Sequence, residues 1–290
     1  MDINRATGEN RFSRFILVTL LIVFAVYFLT PLYVMLVNSV KPLSEITKGN
    51  MLALPKEFSL AYWEKAWKSA QVGVNATGLR PYFFNSVKIV IPAVILSTLF
   101  GSFAGFVLSK WRFKGDNLVF GLVLFGCFIP FQIVLIPMAR ILGMIGIAGS
   151  TTGLIFVHIS YGVGFTTLFF RNTYANLPDE LIQSAQVDGA KFMKIFTKVI
   201  LPNSAPVIAV CIIWQTTNIW NDFLFGVSFG DARSQPMTVA LNNLVQSSTG
   251  VKEYNVHFAG AIMAAIPTLI IYVLSGRYFV RGLMSGSVKG

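Results

Sequence analysis

The sequence predicts an all-α membrane protein with six transmembrane helices and one polar, helical loop between the fourth and fifth. Three observations carry this. Hydrophobic residues make up 54% of the 290-residue chain and charged residues only 12%, about half of what a soluble domain of this size carries. Six apolar runs recur along the chain, each close to the roughly 20 residues that cross a hydrocarbon core as a helix. The residues between them are polar, and the basic ones cluster at the ends of the runs.

The net charge of +11 is therefore spread over helix ends. That distribution suits a phospholipid surface and not nucleic acid, since no basic-aromatic interleaving is present. Cys127 and Cys211 each sit inside an apolar run, and neither they nor His158 and His257 show metal-ligand spacing. No G-x4-GK[ST] loop, G-x-S-x-G elbow or H-E-x-x-H is found. The expectation is a chain without a nucleotide site, catalytic residues, metal or cofactor.

In order, residues 1–14 form a polar segment with Arg5, Arg11 and Arg14, expected to stay in the cytoplasm. The first span covers about 15–38. It is too long for a signal-peptide core and no A-x-A site follows. Residues 41–83 are polar, and Trp63 and Trp67 at i, i+4 predict a short interfacial helix. The second span, 84–109, contains Gly101, Ala104 and Gly105, which let membrane helices pack closely. Lys110, Arg112 and Lys114 follow it and mark a cytoplasmic side. The third span, 118–139, is interrupted by Pro130 and Pro137. The fourth covers 152–170, the fifth 206–226 and the sixth 258–280, with 230–255 read as a polar outer loop. Six crossings put both termini and the loops at 110–116 and 171–205 on one face. The short loops of that face are the richer in Lys and Arg, so it is assigned to the cytoplasm.

The loop at 171–205 is the most structured of the polar regions. Pro178, Asp179 and Glu180 form a good helix start. Asp188-Gly189 marks a break, because glycine takes positive φ cheaply or lets another backbone approach. Phe192, Ile195, Phe196, Val199 and Ile200 then repeat at helical spacing opposite Lys191, Lys194 and Lys198. On periodicity alone this is an amphipathic segment on the membrane surface.

The spacing of its small residues resembles the EAA loop of ABC importer permeases, with a pattern of about EAA-x3-G-x9-I-x-LP. Gln183, Ser184 and Ala185 stand at the first three positions. Asp188-Gly189-Ala190 and Ile200-Leu201-Pro202 match the rest, with the isoleucine shifted by one position. Gln183 replaces the glutamate and Ser184 the first alanine; Gln183 can hydrogen-bond but cannot form an ion pair. Further elements resemble the maltose-type, binding-protein-dependent sugar permeases. These are Phe84-Asn85-Ser86, Trp111-Arg112-Phe113-Lys114-Gly115, Trp220-Asn221-Asp222-Phe223 and the tail from Arg277 to Leu283, with Gly286 and Val288-Lys289-Gly290. The resemblance covers nearly the whole chain and points toward glucose- or mannose-type systems.

The resemblance implies a permease subunit working with a second permease subunit, two ATPase subunits and an extracytoplasmic sugar-binding protein, in the inner membrane. It implies that Gln183, Ser184, Ala185, Asp188, Gly189 and Ala190 form the coupling contact with an ATPase, while Phe192, Ile195 and Phe196 pack against the chain's own helices. For the solute path the candidates are Asn218, Trp220, Asn221 and Asp222. Asn218, Asn221 and Asp222 share a helix face at i, i+3, i+4, with Trp214 and Trp220 beside them. Amides and carboxylates bind sugar hydroxyls and aromatic faces bind their C–H edges; helix–helix hydrogen bonding is the competing role. A permease for a non-sugar solute and a self-sufficient secondary carrier are the alternative readings.

Overall fold

The computed structural model describes residues 11–247 and 251–284. Arg5 of the expected leader and the tail residues Gly286, Val288, Lys289 and Gly290 lie outside the described residues. Among the described residues the chain is helical, apart from an isolated bridge between Val72 and Asn75.

Four helices are long and apolar enough to cross a membrane: α1 (Arg11–Asn38), α4 (Arg80–Lys110), α7 (Thr151–Ala175) and α13 (Tyr254–Met284). Two bent pairs bring the number of candidate spans to six. One is α5 (Asp116–Phe128) with α6 (Phe131–Met144), which meet at 104°. Pro130 explains the bend. A residue before proline is pushed out of the α region, and Ile129 is extended at φ −67°, ψ 125°. The segment read from sequence as one span at 118–139 is thus two helices of 13 and 14 residues, each too short to cross alone. The other pair is Phe192–Ile200 with Pro202–Trp220, bent by 43°.

α4 and α7 form the central pair and run parallel. Gly101 faces Thr166 and Gly105 faces Phe170, so both chains advance in the same direction. A Cβ on Gly101 would lie 2.0 Å from Thr166 Oγ1, and one on Gly105 2.7 Å from Phe170 Cβ. Two glycines one turn apart let the helix backbones meet, as close packing in lipid requires. Thr166 Oγ1 donates to Ser97 O across the pair at 2.8 Å. Because α4 and α7 are parallel, the chain must return between them, and α5–α6 is the only connection that does so.

The segment between α1 and α4 folds as a cap and not only as an interfacial helix. α2 (Leu43–Lys48) and α3 (Ala61–Lys68) carry it. Trp63 Nε1 donates to Ser39 Oγ at 3.1 Å, and Trp67 meets Phe83 edge-on at 5.4 Å. The 230–255 stretch, read as a polar loop, also contains helix: α12 (Met237–Gln246) buries Met237, Val239, Ala240 and Leu244, following α11 (Leu224–Phe229). Burial of that apolar face outweighs the polar composition of the sequence. At the other end of α4 and α7, a second buried cluster joins Phe106, Phe170 and Tyr174 to the 180–200 segment.

Candidate functional site

The segment after α7 folds into α8 (Glu180–Val187), a turn, α9 (Phe192–Ile195) and a π turn, Phe196–Ile200, leading through a 3-10 turn at Pro202–Ser204 into α10 (Ala205–Trp220). α8 ends because Gly189 takes φ +73°, a conformation that costs a residue with a Cβ about 1–2 kcal/mol. Asp188 N–H, Gly189 N–H and Ala190 N–H donate back to Ser184, Gln186 and Ala185 carbonyls and close the turn. A Cβ on Gly189 would have nothing within 4 Å. The glycine serves the φ angle, and no part of this chain approaches it.

The two sides of this hairpin differ. Ile182, Ile195, Phe196 and Ile200 are buried against Phe106, Phe170 and Tyr174. Phe192 stands 4.9 Å from Trp111 and 5.2 Å from Phe106, and Phe196 stands 5.4 Å from Phe103. Phe192, Ile195 and Phe196 therefore hold the hairpin to α4 and α7. Gln183, Ser184, Asp188 and Gly189 are exposed, and Ala185 and Ala190 are half-buried. Val187 is 88% exposed at the tip. The result is a short helix fixed from beneath with a free outer surface.

Lys110 anchors its start. Its side chain is only 7% exposed, and Nζ donates to Leu177 O at 2.6 Å and to Asp179 Oδ1 at 2.5 Å. Asp179 is mostly exposed, so the ion pair itself contributes little. The carbonyl bond fixes the α7–α8 turn to the end of α4. Lys110→Met keeps the apolar stem and is expected to cost about 1 kcal/mol. A drop of a few degrees in the melting temperature of the detergent-solubilised chain, restored by Lys110→Arg, checks this.

The solute-path candidates separate into two groups. Asn218 and Asp222 line one cavity of about 150 Å³, with His158, Gln215, Trp214 and Phe225 among its other walls. Trp220 is not brought there. It is buried, its ring meets Phe83 at 5.3 Å, and Nε1 donates to Ala264 O at 2.8 Å, tying α10 to α13. Asn221 is exposed as the C-cap of α10 and lines no described cavity. The helix ends at Trp220, so the common face expected for Asn218, Asn221 and Asp222 does not continue past it. Asp222 instead caps α11, accepting from Phe225 N–H at 3.3 Å and Gly226 N–H at 3.0 Å.

Sequence reasoning missed His158. Its Nε2 lies 3.9 Å from Asp222 Oδ2. The signal was available, since an ionisable side chain midway along an apolar run is by default a functional candidate. Asp222 was found by its place beside Asn218 and Asn221, while His158 was weighed only as a metal ligand. Among the described residues no group of His, Cys, Asp and Glu could hold a metal ion.

Residues 97–283 match the family described as "Binding-protein-dependent transport system inner membrane component". The chain is similar to the osmoprotective compounds uptake permease protein GgtD of Synechocystis sp., with 32% identity over 99% of this chain and 97% of that one. It is similar to the xylose/arabinose import permease protein XacI of Haloferax volcanii, with 32% identity over 91% of this chain and 90% of that one. Among solved structures, a chain of a bacterial ABC transporter that imports the acidic polysaccharide alginate superposes with a TM-score of 0.82 at 20% identity, over 94% of this chain and all of that one. In such importers ATP is hydrolysed on a separate subunit, in keeping with the lack of a phosphate loop in this sequence. The chain belongs to the binding-protein-dependent inner membrane components and is the multi-pass permease subunit of an ABC importer.

Proposed function

We propose that this permease imports a neutral sugar of the glucose, mannose or pentose class, delivered by an extracytoplasmic binding protein and driven by two ATPase subunits. Residues 15–290 form its transmembrane domain, with the coupling loop at 171–205 and both termini in the cytoplasm. Gln183, Ser184, Ala185, Asp188, Gly189 and Ala190 make the ATPase contact, and Asn218 and Asp222 face the solute. The observation that carries this reading is the α8 hairpin: its underside is buried and its outer face, from Gln183 to Gly189, is free. The sugar class rests on the resemblance of Trp220-Asn221-Asp222-Phe223 and the tail to sugar permeases, and on the similarity to a xylose/arabinose permease. The second permease subunit has apolar surface to cover. None of the apolar window of α1 is buried within the chain, and an apolar groove of about 470 Å³ opens between α4 and α10.

The test is uptake into vesicles holding this chain, its second permease subunit and the ATPase, with the binding protein outside. ATP-dependent accumulation of a neutral sugar is expected. The similarity to a permease for osmoprotective compounds favours a second solute class, so glycine betaine belongs in the same panel. Uptake of betaine without sugar replaces the sugar reading. Uptake without ATP or the ATPase contradicts the importer reading for this assembly.

A further inference from the structure

The cavity between α7, α10 and α11 combines features that the general importer reading does not use. Phe131, Tyr161, Phe165, Trp214 and Phe225 stand around it. Phe165 lies 4.7 Å from Trp214, and Tyr161 lies 5.1 Å from Phe225 and 5.0 Å from Phe131, so the rings form two walls. His158, Asn218 and Asp222 enter it as polar side chains, beside Gln215, whose Nε2 is committed to Ser97 Oγ at 2.9 Å. Asn218 is exposed, so the cavity opens at the surface of the chain, whereas His158 is buried.

Its size is informative. Drug-sized ligands need about 300–1,000 Å³, so about 150 Å³ suits one ring and no more. The same space could hold about five waters at their liquid volume, but aromatic faces leave most of those waters short of hydrogen bonds. The gap of 3.9 Å between His158 Nε2 and Asp222 Oδ2 is too long for a direct bond. It is the separation that one inserted polar atom bridges.

Asp222 also sets a charge condition. Both its oxygens accept backbone N–H groups of α11, which holds it as an acceptor facing the cavity. A solute carboxylate beside it would meet like charge in a site with little water to screen it, and no lysine or arginine among the described residues lines the cavity to offset that.

We propose that this cavity is a subsite for a single neutral pyranose or furanose ring, with one hydroxyl bridging His158 and Asp222, a second bound by Asn218, and Asp222 rejecting anionic sugars. The subsite rests on the sugar reading above and adds to it a size limit, a charge rule and a direct role for this subunit in holding the solute. The solved alginate importer, which shares the fold, takes an acidic polysaccharide; the two chains then differ in solute charge at a common scaffold.

The test reads binding without the binding protein. The permease–ATPase complex in nanodiscs is probed by saturation-transfer difference NMR with methyl α-glucopyranoside and, separately, glucuronate. The glucoside is expected to give a signal spread over one ring, several-fold stronger than that of glucuronate. Asn218→Leu should abolish it. Asp222→Asn is the informative variant, because asparagine is a good helix-capping residue that removes the charge while keeping one of the two oxygens that accept from α11; the glucuronate signal should rise to that of the glucoside. Equal signals from both probes in the unaltered complex overturn the proposal, as does a glucoside signal that Asn218→Leu leaves intact. An unaltered complex that accumulates sugar with ATP and binding protein but gives no difference signal overturns the subsite and leaves the sugar reading standing. A complex that accumulates no sugar overturns the sugar reading itself.

Discussion

Gly189→Arg is expected to abolish ATP-driven transport while the chain still reaches the membrane in normal amount. Two effects act together. The arginine is forced into φ +73°, at about 1–2 kcal/mol, and its bulk and charge project from the tip of the hairpin. Because nothing among the described residues lies within 4 Å of a Cβ there, the fold has room for the side chain, whereas the proposed ATPase contact leaves none. The loss should exceed about tenfold, or about 1.4 kcal/mol of docking free energy. Gly189→Asn relieves both effects. Asparagine tolerates positive φ better than other residues with a Cβ and is small, so most transport should survive. Loss in both variants would mean that the contact admits no side chain at this position, and survival of both would remove Gly189 from the contact.

The second large effect is expected at the α4–α7 seam. Gly101→Leu places a Cβ 2.0 Å from Thr166 Oγ1, 2.5 Å from Thr166 Cβ and 2.9 Å from Thr167 N. The first two atoms belong to a side chain, but the third is backbone, so the helices must part. Overpacking of this kind costs about 1–3 kcal/mol, and here it also strains the Thr166–Ser97 bond between helices. Little folded chain should elute from size-exclusion chromatography in mild detergent. Gly121→Leu on α5 is the control, because a Cβ there meets nothing within 4 Å. It should leave the elution profile unchanged.

The contrast between these glycines shows what the sequence could and could not reveal. Gly101 and Gly105 were legible as a packing stripe because they are small residues one turn apart inside an apolar run. Gly189 was legible as a break because helical periodicity stops and restarts around it; that its φ is positive and its surroundings empty needed coordinates. The apolar runs announced the long helices, since hydrophobic length is a local property. Pro130 announced an interruption, but the 104° turn depends on how α5 and α6 pack. α12 was hidden because Asn242, Asn243 and Gln246 make its stretch read as a loop, and only tertiary burial of Met237, Val239 and Leu244 makes it a helix. That Trp220 packs away from the cavity of Asn218 and Asp222 was not legible, because its partner, Ala264 O, is 44 residues away in the chain. The Asp222–His158 pairing joins residues 64 positions apart (222 − 158 = 64), on α7 and just after α10. No local pattern reports such a contact.

The coupling role of residues 183–190 requires that the outer face of α8 meet an ATPase. A photocrosslinking amino acid placed at Val187, which is 88% exposed at the tip of that face, reads this directly in membranes containing the whole assembly. The expected product after irradiation is a covalent adduct between this chain and the ATPase subunit, with its yield changing when ATP is added. Adducts with lipid or the second permease subunit alone, and none with the ATPase, would contradict the coupling role of residues 183–190.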